Sequence, residues 1–130
     1  MNCIFCDQAD PQLNRVLCEN DGFFARFDNF PVSPGHIEIV PKRHVESLFD
    51  LSAVEAAEAF DLLRQAWAML ATEFGPDGCN VGINEGAAAG RTIGHLHIHL
   101  IPRYSGDDPD PRGGIRKILN GDSPDRWAAE

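Results

Sequence analysis

One long amphipathic segment limits what this chain can become. Ser52, with Glu55 three residues later, has the form of a capping box, in which two side chains satisfy backbone N–H groups at a helix start. Ala56, Phe60, Leu63, Trp67, Leu70 and Phe74 then recur every three or four residues, the spacing that gathers apolar side chains into one stripe. Gly75-Pro76 stops the run. The expected helix has roughly 22 residues and a length of about 33 Å at 1.5 Å per residue. A stripe that long needs a partner surface.

Short strands can supply that surface. Residues 16–19 and 23–28 flank Asn20-Asp21-Gly22, whose Asp-Gly step is a hairpin signal. Pro31-Val32-Ser33-Pro34-Gly35 makes a stiff loop before a β-branched strand at 36–40, which Pro41 ends. Residues 42–51 have room for a short helical turn. Two more strands are expected at 79–84 and 95–101, joined by a loop rich in Gly and Ala. From Tyr104 onward Asp, Pro and Gly dominate, so 104–130 reads as an extended C-terminal tail. Five short strands with one long helix indicate an α+β fold: an antiparallel five-stranded sheet with the long helix and a short one on one face. At 130 residues the chain has the size of a single domain, 1–130.

Composition narrows the function. Eleven Lys and Arg against twenty Asp and Glu leave a net charge of −9, which argues against a nucleic-acid binder needing a basic footprint. No apolar run approaches the roughly 18 residues of a membrane span. Met1 to Asp7 lack the basic region and apolar run of a signal peptide, so a cytoplasmic location is expected, without membrane association. In a reducing compartment the four cysteines are not expected to form a disulfide framework. Cys3-x-x-Cys6 alone reads three ways: a redox pair, half of a zinc site, or two ordinary thiols. Cys18 and Cys79, in strands, are expected as small core residues.

Three of the five histidines fall in His95-Leu96-His97-Ile98-His99. Along a strand, alternate side chains share a face, so the three imidazoles would line a cleft while Leu96, Ile98 and Leu100 pack on the helix. Such a row is a His-rich surface strand, a three-histidine metal site, or a source of nucleophilic imidazole. Ligands from one short strand point in parallel, so a metal there would need help from elsewhere.

The segment Gly90-Arg91-Thr92-Ile93-Gly94-His95-Leu96-His97-Ile98-His99-Leu100-Ile101-Pro102-Arg103 resembles the signature of the histidine-triad (HIT) nucleotide hydrolases and transferases. Residues 28–44 (DNFPVSPGHIEIVPKRH) resemble that family's other diagnostic stretch, and Asn84-Glu85-Gly86 stands at the familiar distance before the triad. The resemblance covers the chain up to about Arg103. It implies that His97 attacks the α-phosphorus of a nucleotide, that His99 stabilises the phosphate, and that His36 supports the triad. Asn84 and Thr92 match residues that hold the phosphoryl region, and Asp28 matches the acceptor for the ribose hydroxyls. Arg91 stands where many members carry Gln, and a guanidinium there either brings charge toward a phosphate, which it suits, or projects into solvent. Phe27 and Ile37 fall near positions that clasp the base in relatives, although apolar strand residues also read as core.

The same resemblance bears on the cysteines. In some bacterial members such a pair joins two histidines to hold zinc, and the matching residues are Cys3, Cys6, His44 and His95. A closed Cys₂His₂ set marks a structural zinc, with no catalytic metal required. The implied activity is nucleotidyl transfer to water from a nucleoside phosphoramidate or dinucleoside polyphosphate, releasing a nucleoside monophosphate. The implied partners are a purine nucleotide and a second copy of the chain in a homodimer. The competing classes are a purine-nucleotide sensor with weak turnover and a hydrolase with catalytic zinc on the three histidines.

Overall fold

In the computed structural model, which describes residues 3–119, the apolar runs become five antiparallel strands. They are β1 (Val16–Glu19), β2 (Phe23–Phe27), β3 (Ile37–Pro41), β4 (Gly78–Gly82) and β5 (Ile98–Arg103). The order across the sheet is β1-β2-β3-β5-β4, so β5 is inserted between β3 and β4. Asn20 closes the first hairpin, its backbone N–H donating to Phe23 O (3.0 Å) and its side-chain oxygen accepting from Phe23 N (2.9 Å).

The long helix α1 spans Ala53–Phe74. Its capping box forms as expected: Glu55 N donates to Ser52 Oγ (3.1 Å) and Ser52 N donates to Glu55 Oε1 (2.9 Å). Gly75 ends it in the left-handed region, at φ 60°, where a residue without Cβ has no steric penalty. The expected stripe is rotated, however. Ala59, Leu62, Ala66 and Leu70 are buried, Leu63, Trp67 and Phe74 flank them, and Phe60 is 61% exposed. Ala56 is exposed as well. Two alanines on the contact line let the helix lie close to the strands, and that closeness, rather than side-chain size, selects the buried face.

Each strand divides its side chains between two faces. Phe23 and Ala25 of β2, Ile37 and Ile39 of β3, and Ile98 and Leu100 of β5 form the core under α1. Phe24, Arg26, Glu38, Val40, His97 and His99 alternate with them toward the opposite face. There Glu38 lies directly across from Arg26 on one side and from His99 on the other. His95 and His97 precede the paired part of β5, which was expected to begin at residue 95; β3 pairs with it only from Ile98 to Leu100. Pro102 therefore lies beyond β3, where its missing N–H costs no ladder bond on that side.

The short helical turn is a 3₁₀ turn at Leu48–Asp50. The segment after Arg103 is less extended than expected: a further 3₁₀ turn, Gly114–Ile118, returns against β4. The rest of the tail, 120–130, lies outside the described residues, as do Met1 and Asn2. Among the described residues, no helix is long and apolar enough to cross a membrane. Cys18 packs beside the core, but Cys79 on the edge strand β4 is exposed rather than a core residue.

Candidate active site and metal-binding cluster

The sheet face away from α1 carries a cavity of about 300 Å³ floored by the polar residues of β2, β3 and β5. Hydrogen bonds assign the state of each imidazole around it. His97 Nδ1 lies 2.8 Å from His95 O, so that nitrogen keeps its proton and donates it to the carbonyl. Its Nε2 is left with a lone pair. His97 is only 9% exposed, and what it exposes lines the cavity. A neutral imidazole with its proton fixed on the far side is a competent nucleophile.

His99 is polarised by a chain of donors. Val32 N donates to His36 Nδ1 (3.2 Å), which places the proton of His36 on Nε2, and that Nε2 donates to His99 Nδ1 (2.9 Å). The remaining proton of neutral His99 then sits on Nε2. Burial, with His97 and His36 nearby, pushes the His99 pKa down to about 4. It is thus a neutral hydrogen-bond donor at physiological pH. His36 is lowered too, by burial against the opposing pull of Asp28.

Around these imidazoles the remaining expected residues fall into two groups. Asp28 presents Oδ2 at 3.5 Å from His36 Nε2 and 3.8 Å from His99 Nδ1, while its Oδ1 accepts from Phe30 N (2.8 Å). Asn84, Arg91 and Thr92 line the other side of the cavity. The Arg91 guanidinium is anchored by donation to Glu46 O (2.9 Å) and lies 3.9 Å from Glu85, so it is held at the rim instead of waving in solvent. Phe27 and Ile37 do not line this cavity, although Phe27 lines a neighbouring one beside Asp28. Both pack on the helix side, because their strand parity turns them away from the cavity.

His95 leaves the triad's company. It is fully buried, not exposed to the cleft. Its Nε2 donates to Pro41 O (2.8 Å), which leaves Nδ1 unprotonated at 3.3 Å from Cys3 Sγ and 3.6 Å from Cys6 Sγ. His44 Nδ1 lies 3.2 Å from Cys6 Sγ. The four donor atoms are all within 4.8 Å of one another. Ligands about 2.0–2.3 Å from a tetrahedral zinc stand roughly 3.3–3.8 Å apart, so these three spacings and the two-sulfur, two-nitrogen set fit such an ion. Burial lowers the His95 pKa, which favours the unprotonated nitrogen that a metal requires. The three triad imidazoles do not converge on one point: His95 groups with the cysteines, and His97 and His99 group with Glu38.

Two features had no forecast. Phe5, between the cysteines, is 1% exposed and sets its ring 5.6 Å from His95 and 5.1 Å from His97, joining the Cys/His cluster to the cavity's His97. Arg26 and Glu38 form a buried ion pair on the cavity floor, through Nη1 and Oε1. Burial and the neighbouring Asp28 push the Glu38 carboxyl up, while Arg26 and His97 oppose them. Strand parity signalled the pair, since both residues alternate with apolar neighbours that face the helix. Nothing local signalled Phe5.

Residues 11–106 match the family model of the HIT domain. An AP-4-A phosphorylase of Mycobacterium tuberculosis is 39% identical over 101 residues, covering 77% of this chain and 52% of that protein. A bis(5′-nucleosyl)-tetraphosphatase [asymmetrical] of Schizosaccharomyces pombe is 36% identical over 77 residues, covering 59% of this chain and 42% of its own length. The chain thus spans about half the length of these relatives. Among solved structures, a Zn-bound histidine triad family protein from Mycobacterium smegmatis superposes with a TM-score of 0.69 at 33% identity, covering 85% of each chain.

Proposed function

Because this chain belongs to the HIT family, we propose that it is a nucleotide-processing enzyme in which His97 attacks the α-phosphorus of a nucleoside phosphoramidate or dinucleoside polyphosphate. The observation that carries this reading is the His97 ring: Nδ1–H tied to His95 O at 2.8 Å and Nε2 bare beside the cavity. In the first step the Nε2 lone pair forms a P–N bond. The bond to the leaving group breaks, and that group takes the electron pair. In the second, water adds to phosphorus, its proton is lost, and the P–N bond breaks to give back His97 and a nucleoside monophosphate.

The other residues bind and stabilise. His99 Nε2–H donates to an equatorial oxygen as charge builds there, and the chain through His36 keeps that proton in place. Asn84, Thr92 and Arg91 bracket the phosphates, and Asp28 accepts from the ribose. Cys3, Cys6, His44 and His95 would hold a structural zinc, which stiffens the carbonyl that orients His97. Two cysteines outside any disulfide suit a cytoplasmic setting. A homodimer is part of the same reading, supported by the edge position of β4 and the apolar groove it forms with α1 through Leu63, Trp67 and Val81.

The test is turnover of a panel of adenosine and guanosine phosphoramidates and dinucleoside polyphosphates, read as monophosphate released. Nucleotide binding without release of product from any of them would make the protein a sensor instead.

A further inference from the structure

The buried ion pair on the cavity floor has no part in the mechanism above. Among the described residues, Glu38 Oε1 takes Arg26 Nη1, but Glu38 Oε2 accepts no hydrogen bond and lies 3.9 Å from His97 Nε2 and 4.0 Å from His99 Nδ1. Arg26 is held as firmly as its partner. Its Nη2 donates to Leu13 O (2.7 Å) and Asn29 Oδ1 (3.0 Å), and its guanidinium sits 5.1 Å from the Phe5 ring centroid. Glu38 is 4% exposed and Arg26 1%, so neither has room to swing. Two apolar side chains of like volume would be less costly to bury.

We infer that Glu38, braced by Arg26, is a specificity-determining acceptor for the ribose 3′-hydroxyl, beside Asp28. The inference rests on the proposed nucleotide reading and deepens it. With phosphorus about 3–3.5 Å from His97 Nε2 in a near-attack geometry, a carboxylate oxygen 3.9 Å from that nitrogen lies against the sugar, well short of the base edge. Phosphoryl oxygens are acceptors and are repelled by it. The nucleoside donors within reach are the ribose hydroxyls, of which the 3′ one is nearer the phosphate along the sugar. Asp28 Oδ2 and Glu38 Oε2 stand 3.8 and 4.0 Å from the same His99 nitrogen, and both residues line the cavity, which sets two acceptors side by side for a vicinal diol.

The test is calorimetric binding of AMP, 2′-deoxy-AMP and 3′-deoxy-AMP to the full chain and to two variants. One is the double variant R26M/E38L, which leaves no unpaired buried charge; the other is E38Q, which keeps the shape. In the wild type, loss of the 3′-hydroxyl should weaken binding about 10–100-fold, the scale of a hydrogen bond to a charged group. That penalty should fall to within about threefold in R26M/E38L and drop several-fold in E38Q, while the 2′-deoxy penalty persists in both. A 3′-deoxy penalty unchanged in a folded variant overturns the inference and leaves the nucleotide reading standing. Failure of the wild type to bind AMP at all overturns both.

Discussion

Replacing His99 with Asn should flatten the acid side of the stability profile. Asn keeps an oxygen that accepts from His36 Nε2–H but cannot titrate. In the wild type, His99 protonates near its ordinary 6.5 when unfolded and only at about 4 when folded. Between those values the unfolded chain binds the extra proton, so stability falls as pH drops from 6.5 toward 4. At about 1.4 kcal/mol per pH unit the full window is worth about 3 kcal/mol. The ring is 20% exposed, and water screens part of the effect, leaving about 1–2 kcal/mol. Urea unfolding of both proteins at pH 7.0 and pH 4.5, at equal zinc, measures it. Acid loss from groups that do not touch His99, including the buried His95 and any metal release, is common to both and cancels. His99→Asn should lose about 1–2 kcal/mol less than the wild type over that interval. Equal losses, within about 0.5 kcal/mol, would refute the burial argument for His99.

Other outcomes follow from the same geometry. His97→Ala should abolish turnover and any base-stable covalent nucleotide adduct while zinc content stays unchanged; an adduct persisting by mass spectrometry would move the nucleophile elsewhere. Elemental analysis should find about one zinc per chain, and Cys3→Ser should lower the melting temperature more than it lowers kcat in whatever protein stays folded. Metal-free protein purified without chelators would remove the cluster from that role. Ser52→Ala should cost about 1 kcal/mol in urea unfolding, since it removes the hydroxyl that accepts from Glu55 N while the backbone N–H of residue 52 keeps its bond to Glu55, and a loss under about 0.3 kcal/mol would show the helix start is held by packing alone.

Local chemistry carried much of this protein. The capping box at Ser52, the left-handed stop at Gly75 and the hairpin at Asn20 are short-range arrangements, set by residues within a few positions of one another, and each lies where the chain reads it. The family resemblance, more than residue types alone, pointed to the residues that the fold gathers: Asp28, Asn84, Arg91, Thr92, His97 and His99 around one cavity, and Cys3, Cys6, His44 and His95 in one cluster. What the chain could not declare is which face each element turns. The helix buries Ala59 and Ala66 and leaves Phe60 in water, because close approach to the sheet, not hydropathy, decides the contact line. His95, two residues before His97, turns to the cysteines because Pro41 O takes its Nε2 proton, a contact spanning 54 positions. The Arg26–Glu38 floor depends on β2 and β3 lying in one register, with β5 inserted beside them. Spacing along a strand sets which residues share a face, but only the packed fold brings a face from one strand against a donor from another, and that is where the imidazoles acquire distinct protons and distinct work.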